Sequence, residues 1–440
     1  MNSDRRSSLV KKNIAFSFLI KGWSGVVQLL IVPLSLQCLS NYEYGIWLTI
    51  NSLLVGLSYM DIGLGNGLRN KLAEAMAIND KDHARVLVST TFVLQFVIAA
   101  IIISLALCAI MNSDLYGIMN VSPDRVPNLK MIVTLSVVIT IMTFVFKFVE
   151  NVYFGLQLSS IAHLLTVLGQ TFSLIGIFLL SRRGGASLLS VVIIYTLCPL
   201  IVYILAYPFT FLIKYRFLTP SPRQFSNSEV PSLFSLGISF FFLQMASLVL
   251  FFSSNIIISR LLSPEAVTPY QVSYRYFSIF SMVFAVISTP LWAAVADAYA
   301  KNDMSWIRNA GKRIMQVLGV GILILIAMLL FSPVFYKIWV GDSVLIDHVL
   351  SALMAIYTFV ISFSSCFSNM IYGTGKIRLI VYLTILEAII FIPAAIWLGK
   401  AMGLYGILLA LIGSTLICAI GNFIQFNKIV SGTARNIWNK

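Results

Sequence analysis

Five ionisable side chains lie inside long apolar runs of this chain. The cations are Lys21, Lys147 and Arg275, and the acids are Glu150 and Glu387. If these runs span a membrane, each charge is costly and normally faces a cavity or an opposite charge. Such residues could therefore bind an ionic cargo, and a carboxylate at Glu387 could titrate or bind Na⁺ as the cargo moves.

Each of the five also has a purely structural explanation. Lys147 and Glu150 are three residues apart, so they could neutralise each other on one helical face. Arg275 could extend its aliphatic stem outwards to the membrane interface. Lys21 could form a buried pair with Glu387, which would then only hold a lobe together. The sequence leaves both explanations open.

The composition predicts the elements that must position these charges. Charged residues make up 10% of the chain and hydrophobic residues 59%, whereas a soluble domain has roughly 25% charged residues. A spanning helix needs about 20 largely apolar residues, and the uniformly apolar runs lack the alternation of a membrane strand. Twelve segments fit, at roughly 13–37, 44–65, 86–111, 128–155, 161–180, 187–213, 232–258, 268–295, 313–336, 348–373, 379–398 and 403–426.

The distribution of Lys and Arg predicts the orientation. With a cytosolic N-terminus, the inside segments hold twenty cations and the outside segments seven. The adjacent Arg182 and Arg183 are the one exception to the expected shortage of cations outside. The positive-inside rule therefore predicts a multi-pass protein with both termini in the cytosol. The first segment is too long for a signal-peptide core and has no small-residue cleavage site, so we expect it to be retained. Anionic membrane lipids account for the net charge of +14, and no nucleic-acid partner is expected.

Cofactor and metal signals are weak. The five cysteines are scattered without CxxC spacing and the three histidines are isolated, so we expect neither a metal site nor a disulfide framework. No GxxxxGK[ST] motif occurs. Uphill movement would therefore draw on an ion gradient, such as Na⁺ or H⁺, on the membrane potential or on removal of product.

A glycine-rich stretch follows the second segment, in the sequence MDIGLGNGLRNKLAEA from residue 60 to 75. It lacks the strand and the βαβ context of a nucleotide-binding loop. Its glycines at 63, 65 and 67 instead favour close helix packing and a bend at the membrane edge. Asp61 is predicted to meet a cation at the cytosolic mouth, as an ion-coupling or charge-pairing residue.

An internal repeat divides the chain. AEAMAINDKDHAR at 73–85 aligns without gaps with ADAYAKNDMSWIR at 296–308, and NVYFGLQ at 151–157 echoes NMIYGTG at 369–375. The offsets of 223 and 218 residues nearly agree. We therefore predict an all-α integral membrane protein with about twelve transmembrane helices in two six-helix lobes, related by a pseudo-two-fold axis along the membrane normal.

The predicted domains follow from the repeat. They are an N-terminal lobe at 1–213, a cytosolic linker at 214–231, and a C-terminal lobe with a short cytosolic tail at 232–440. Both copies of the longer repeat fall on the predicted cytosolic side, after the second and eighth helices. They supply candidate contacts of a cytosolic gate: Asp80, Arg85, Asp303 and Arg308.

Several segments resemble a known family. LSNYEYGIW at 39–47, MDIGLGNGLRNKLAEA at 60–75, the GLQ and GTGK turns after helices four and ten, and the glycines at 403 and 406 resemble the polysaccharide-transporter branch of the multidrug/oligosaccharidyl-lipid/polysaccharide exporter (MOP) superfamily. Its O-antigen flippases are the nearest branch. The resemblance implies twelve helices in two lobes and alternating access across a bacterial inner membrane. It also implies a polyprenyl-diphosphate-linked oligosaccharide as cargo, with a polysaccharide polymerase and chain-length machinery as candidate partners.

Such a cargo would bring a diphosphate into the membrane, and cations in a polar cleft would compensate it. With this resemblance, Lys21, Arg275 and Lys147 become candidate diphosphate contacts. In the related peptidoglycan-precursor flippases, cations on helices one and eight line the cavity. Here the first of these is a lysine, which puts a bidentate contact in doubt.

Two other functions remain as alternatives. An ion-coupled multidrug exporter of the same superfamily would favour a cavity dominated by carboxylates, whereas this chain places three cations against two deep acids. A polytopic O-antigen polymerase or glycosyltransferase would need a sizeable polar loop, and the longest predicted outside loop is only about residues 112–127. We therefore expect a transporter and no enzyme.

Overall fold

The computed structural model describes residues 3–57, 63–234 and 253–439, and within these ranges the regular structure is helical. The chain divides into two compact units, Met1–Gln244 (unit 1) and Met245–Lys440 (unit 2). The predicted boundaries at 213, 231 and 232 stay a prediction, because the residues around the junction lie largely outside the described ranges.

The described part of unit 1 contains ten α-helices. They are α1 (Ser3–Cys38), α2 (Asn41–Leu57), α3 (Leu64–Ala77), α4 (Lys81–Asn112), α5 (Leu115–Met119), α6 (Leu129–Phe146), α7 (Phe148–Gly155), α8 (Ser159–Arg183), α9 (Leu188–Pro208) and α10 (Val230–Phe234). In the described part of unit 2 they are α11 (253–261), α12 (Pro264–Ala300), α13 (Met304–Val340), α14 (His348–Thr374) and α15 (Arg378–Val430).

Helices predominate because a lipid bilayer leaves no other partner for backbone N–H and C=O groups. Seven described helical segments are long and apolar enough to cross a membrane: Lys81–Asn112, Leu129–Gly155, Ser159–Arg183, Leu188–Lys214, Met304–Ser343, His348–Thr374 and Arg378–Val430. The predicted segments overlap described helices, except that most of 232–258 lies outside the described residues. The prediction of an all-α membrane protein is confirmed.

The longest described helix, α15, contains a sharp bend. Gly403 has φ 62° and ψ −138°, a conformation that residues with a side chain rarely adopt. A Cβ at Gly406 would lie 2.0 Å from the carbonyl oxygen of Leu398. The bend separates the predicted segments 379–398 and 403–426, so the two glycines let the chain pass from one to the other.

The segment that follows α9 packs against unit 1. The Ser221 N–H donates to Ser89 Oγ at 3.1 Å, and the Ser226 N–H donates to Thr90 Oγ1 at 3.0 Å. The Glu229 carboxylate lies 3.2 Å from His83 Nε2. The predicted linker 214–231 is thus tied by its backbone to the first turns of α4.

The glycine-rich stretch confirms the prediction of close helix packing. A Cβ at Gly67 would lie 1.9 Å from the carbonyl oxygen of Leu233 on α10, and a Cβ at Gly65 would lie 2.5 Å from Asn151 Nδ2 on α7. Gly63 has φ 77° and stands directly before α3. These glycines are therefore required by backbone approach and by one left-handed turn.

The repeated sequences pack at corresponding positions in each unit. In unit 1, a Cβ at Gly155 would lie 2.8 Å from Leu72 Cδ2; in unit 2, a Cβ at Gly373 would lie 2.8 Å from Val295 Cβ. The Gly65 contact of Asn151 has a counterpart in the Asn369 amide, which donates to Ser288 Oγ at 3.0 Å. The repeat in sequence is thus a repeat in helix packing.

Candidate functional site

The longer repeat forms a helix-linking turn in both units. Asn79 (φ 59°) and Asn302 (φ 57°) adopt the left-handed conformation, which Asn tolerates better than most residues. Asp80 accepts a hydrogen bond from the His83 N–H at 2.9 Å, and Asp303 accepts one from the Trp306 N–H at 3.0 Å. Each aspartate thus caps the helix that begins directly after it.

The arginines of the repeat also have corresponding partners. Arg85 Nε donates to the Thr219 carbonyl at 3.3 Å, in the segment after α9. Arg308 donates through Nη2 to the Val430 carbonyl at 3.4 Å, at the last residue of α15. These contacts tie the start of one long helix to the end of the unit. The gate role predicted for the four residues stays a prediction.

Asp303 differs from Asp80 in one further contact. The Ser305 hydroxyl donates to Asp303 Oδ1 at 2.7 Å. This hydrogen bond and that from the Trp306 N–H lower the pKa of the Asp303 carboxyl below its ordinary value, because both stabilise the ionised form. The position corresponding to Ser305 in unit 1 is Asp82, which cannot donate when ionised.

A buried carboxylate in unit 1 is surrounded by donors. Lys147 lies between α6 and α7, and its Nζ is 3.8 Å from Glu150 Oε2. The Tyr203 hydroxyl of α9 donates to the same oxygen at 2.8 Å, and the Thr166 hydroxyl of α8 donates to Oε1 at 3.3 Å. The helices α7, α8 and α9 therefore meet at Glu150. Together with Lys147, they supply the hydrogen-bond and charge partners that a buried carboxylate requires.

A second buried carboxylate, in unit 2, has a different environment. Glu387 on α15 is 6% exposed. The Thr415 hydroxyl, beyond the bend at Gly403, donates to Glu387 Oε1 at 2.7 Å. Among the described residues, no Lys, Arg or His lies within 4.0 Å of this carboxylate. Its charge is therefore less compensated by its described neighbours than that of Glu150.

A polar stripe continues from Thr415 along the same helix face. The Asn422 amide donates to Ser364 Oγ at 3.0 Å and to Ser368 Oγ at 2.8 Å, both on α14. The opposite end of that side chain, Asn422 Oδ1, is buried and accepts no hydrogen bond from the described residues. Carboxylate, hydroxyl and amide oxygens of this kind can coordinate a hard cation, and the carboxylate can also take up a proton.

The remaining candidates are placed less completely. Arg275 lies half-buried on α12. Lys21 is part of α1, but its side chain falls outside what the structure describes, and Asp61 lies outside the described residues altogether. Within the described ranges, no group of three or more His, Cys, Asp or Glu residues could hold a metal ion.

Sequence reasoning did not identify the hydroxyl partners of the two carboxylates. Thr415 and Asn422 are seven residues apart, so their shared helix face could have been found from the period of an α-helix. Thr166 and Tyr203 are isolated polar residues in apolar helices, and only the packing of α8 and α9 against α7 reveals them.

Comparisons with known proteins agree with this architecture. The sequence profile described as "Polysaccharide biosynthesis protein" matches residues 10–293, and that described as MatE matches residues 239–397. A curated relative from Salmonella typhimurium, named "Putative O-antigen transporter", is 23% identical over 88% of this chain and 89% of its own length. A second protein with that name, from Salmonella typhi, is 20% identical over 90% of this chain and 91% of its own length.

Solved structures support the fold. A multidrug resistance MATE family transporter of the MOP superfamily, in an inward-facing conformation, superposes with a TM-score of 0.80. It is 15% identical and the match covers 93% of this chain and 95% of that chain, so the likeness concerns the fold alone. The resemblance inferred from the sequence is confirmed. The chain belongs to the polysaccharide biosynthesis protein family.

Proposed function

We propose that this protein is a flippase that moves a polyprenyl-diphosphate-linked oligosaccharide, such as an O-antigen repeat unit, from the cytosolic to the periplasmic leaflet of a bacterial inner membrane. The observation that carries the proposal is the match over 88% of the chain to a relative named "Putative O-antigen transporter". The family match over residues 10–293 supports it. In this proposal the protein works by alternating access and catalyses no covalent step.

The proposed cargo contacts are Lys21, Arg275 and Lys147. A diphosphate that leaves the headgroup layer needs cations to replace its hydration. Lys147 is 3.8 Å from Glu150 Oε2 and its side chain is 43% exposed, so it could exchange this partner for a phosphate. Lys21 and Arg275 would each supply a further cation for the diphosphate.

The acids supply the proposed coupling. Glu387 has a hydroxyl partner and, among the described residues, no cation within 4.0 Å, so its proton or Na⁺ occupancy could change with little loss of structure. Glu150 and Asp61 are proposed for coupling or charge pairing. The coupling ion would be Na⁺ or H⁺, and a polymerase and chain-length machinery would use the product.

The experiment that tests this function combines a deletion strain with reconstitution. Deleting the gene should leave lipid-linked repeat units on the cytosolic leaflet and abolish surface polysaccharide, as measured by labelling of the accessible leaflet. Proteoliposomes should then be offered lipid-linked oligosaccharide and a cationic dye in parallel. Normal delivery of precursor to the periplasm without this protein, in a strain lacking other flippases, would refute the proposal.

Variants in the same assay test the residues. Arg275→Gln and Lys21→Gln should each reduce flipping roughly 10- to 150-fold, because hydrogen bonds to charged groups contribute about 1.5 to 3 kcal/mol. Arg313→Gln, which removes an exposed cation from α13, is the matched control. Glu387→Gln should remove the dependence on a Na⁺ or pH gradient, and Glu150→Gln should keep it. Equal rates in all variants would remove these assignments.

An ion-coupled multidrug exporter is the second candidate. The MatE profile match over residues 239–397 favours it. Export of the cationic dye without movement of lipid-linked oligosaccharide would establish this alternative.

A further inference from the structure

Unit 2 contains a cavity whose lining includes none of the proposed cargo contacts. Its volume is about 790 Å³, within the range of ligand pockets. It lies between the first turns of α13 and the last turns of α15, with Phe367 of α14 at one wall. This end of both helices is the one that the cation distribution predicts to be cytosolic.

Three cations line the cavity: Arg308, Lys312 and Lys428. No acidic residue lines it, and among the described residues no carboxylate lies within 4.0 Å of any of the three. Arg308 donates to the Val430 carbonyl, and the Lys428 ammonium lies 4.1 Å from the centre of the Trp438 ring. The positive charge of the cavity is therefore not neutralised by the described protein.

The rest of the lining is largely apolar. The Phe367 ring lies 5.1 Å from the Phe423 ring and 5.3 Å from the Phe426 ring. Met315 and Ile424, which also line the cavity, are 42% and 38% exposed, so in a membrane they would contact hydrocarbon. The cavity thus has a cationic part and an apolar wall that reaches the surface.

A glycine helps to form this shape. A Cβ at Gly311 would lie 2.6 Å from Phe426 Cε1. The absence of a side chain lets the Phe426 ring lie against α13, beside Lys312. Most of the cavity lining therefore belongs to packed helices, with Ser431 just beyond the end of α15.

We propose that this cavity binds an anionic phospholipid of the surrounding membrane, with the phosphate on the three cations and an acyl chain along Phe423, Met315 and Ile424. Basic pockets between transmembrane helices at the cytoplasmic side are suited to anionic lipid headgroups. The amphipathic lining matches a lipid better than a free anion, which would leave the apolar wall empty. This site is separate from the proposed cargo contacts and does not depend on the proposed function.

The test uses the full-length protein, purified and delipidated, with phosphatidylglycerol as the probe and phosphatidylcholine as the neutral reference. Bound lipid is counted by native mass spectrometry over a lipid titration. The double variant Lys312→Gln/Lys428→Gln should bind phosphatidylglycerol about 25-fold more weakly, since each cation near a membrane surface contributes roughly a fivefold effect. The single Lys312→Gln variant changes an exposed side chain and should show about a fivefold effect.

The control is Arg313→Gln/Arg378→Gln, which removes two exposed cations outside the cavity lining at the same end of the unit. It should bind phosphatidylglycerol as the wild type does. Equal weakening in both double variants would indicate only a general surface charge effect and would overturn the proposal. So would unchanged binding in the Lys312→Gln/Lys428→Gln variant. Preferential binding of polyprenyl diphosphate over phosphatidylglycerol at this site would likewise overturn it, by making the cavity a cargo site.

Discussion

Gly155 in unit 1 and Gly373 in unit 2 occupy corresponding positions, 218 residues apart, and pack against Leu72 and Val295, which are 223 residues apart. The contacts differ in what a larger side chain would meet. At Gly155 the nearest atoms belong to the Leu72 side chain, whereas at Gly373 the nearest atom is the backbone carbonyl oxygen of Trp292, 2.6 Å from the position of a Cβ.

The difference shows which parts of a repeat can vary. A rotamer change moves the Cγ and Cδ2 atoms of Leu72, and only its Cβ, 2.9 Å from the position of the new Cβ, is fixed to α3. The carbonyl of Trp292 belongs to α12 and moves only with that helix. The neighbouring contact also varies, since Asn151 packs against Gly65 and Asn369 donates to a serine. The helix crossing recurs in both units, although different atoms stabilise it.

The largest expected effect is at this crossing. Gly373→Ala should reduce the free energy of unfolding by about 3 kcal/mol, because overpacking against backbone displaces a helix. Gly155→Ala should cost less, about 2 kcal/mol, since the Cγ and Cδ2 atoms of Leu72 can move and alanine favours the helix, although the Leu72 Cβ, 2.9 Å away, cannot move by itself. The measurement is reversible unfolding in mixed micelles.

A double-mutant cycle controls this prediction. In a Leu72→Gly background, Gly155→Ala should cost little, because the Cβ, Cγ and Cδ2 atoms of Leu72 that the new Cβ would meet are gone. A similar cycle with Val295→Ala should leave most of the cost of Gly373→Ala, since the Trp292 carbonyl remains. Equal costs of the two glycine substitutions would contradict the distinction between side-chain and backbone contacts.

Most of this repeat could be predicted from the sequence. Gapless matches at similar offsets identified the two pairs of repeated segments, in which the structure then places the turns at Asp80 and Asp303 and the crossings at Gly155 and Gly373. Apolar run length predicted the spanning segments, because hydrocarbon thickness sets the length of a helix. These features depend on residues that are local in sequence or that recur at a fixed spacing.

The surroundings of the carboxylates could not be predicted in this way. Tyr203 reaches Glu150 across 53 residues and Thr415 reaches Glu387 across 28, and no local pattern encodes which helices become neighbours. Nor did the polar composition of 214–231 indicate that this segment hydrogen-bonds to Ser89 and Thr90. Glu150 and Glu387 could therefore be selected by their charge, but their hydroxyl partners could not be predicted.

The second expected effect concerns the turns that end α7 and α14. Gln157 (φ 61°) and Gly375 (φ 73°) occupy corresponding positions in the left-handed conformation. Gln157→Gly should stabilise the protein by about 1 kcal/mol, since this conformation strains residues with a Cβ. Gly375→Gln should destabilise it by a similar amount. Thermal unfolding of both variants, each against the wild type, measures the two shifts.

Gln157→Ala provides the control for these turns. Gln157 is exposed, so alanine removes its side-chain atoms but keeps the strained Cβ. Its stability should stay near that of the wild type. If Gln157→Ala stabilised the protein as much as glycine does, side-chain contacts and not backbone conformation would distinguish the turns.

The smallest expected effect is a difference between the capping aspartates in how stability depends on pH. The Ser305 hydroxyl and the Trp306 N–H hold the pKa of Asp303 below its ordinary value of 3.8. Its contribution to stability is therefore fully present above that value and is lost as the pH falls through the lower pKa of the folded state. Asp303→Asn keeps a side-chain oxygen for the cap but cannot ionise, so the loss of melting temperature between pH 5 and pH 3 should be smaller than in the wild type.

Ser305→Ala sharpens this comparison of the two turns. The substitution removes the largest cause of the lowered pKa, so the stabilising effect of ionised Asp303 should shrink and the acid-induced decline should become shallower. The hydrogen bond from the Trp306 N–H to Asp303 Oδ1 does not involve Ser305, so the helix cap should remain in this variant. Melting curves of Ser305→Ala and Asp303→Asn at matched pH check this, with Asp82→Ala as the variant at the corresponding position of unit 1. An acid-induced decline in Ser305→Ala as steep as that of the wild type would show that the hydroxyl does not set the pH response of this turn.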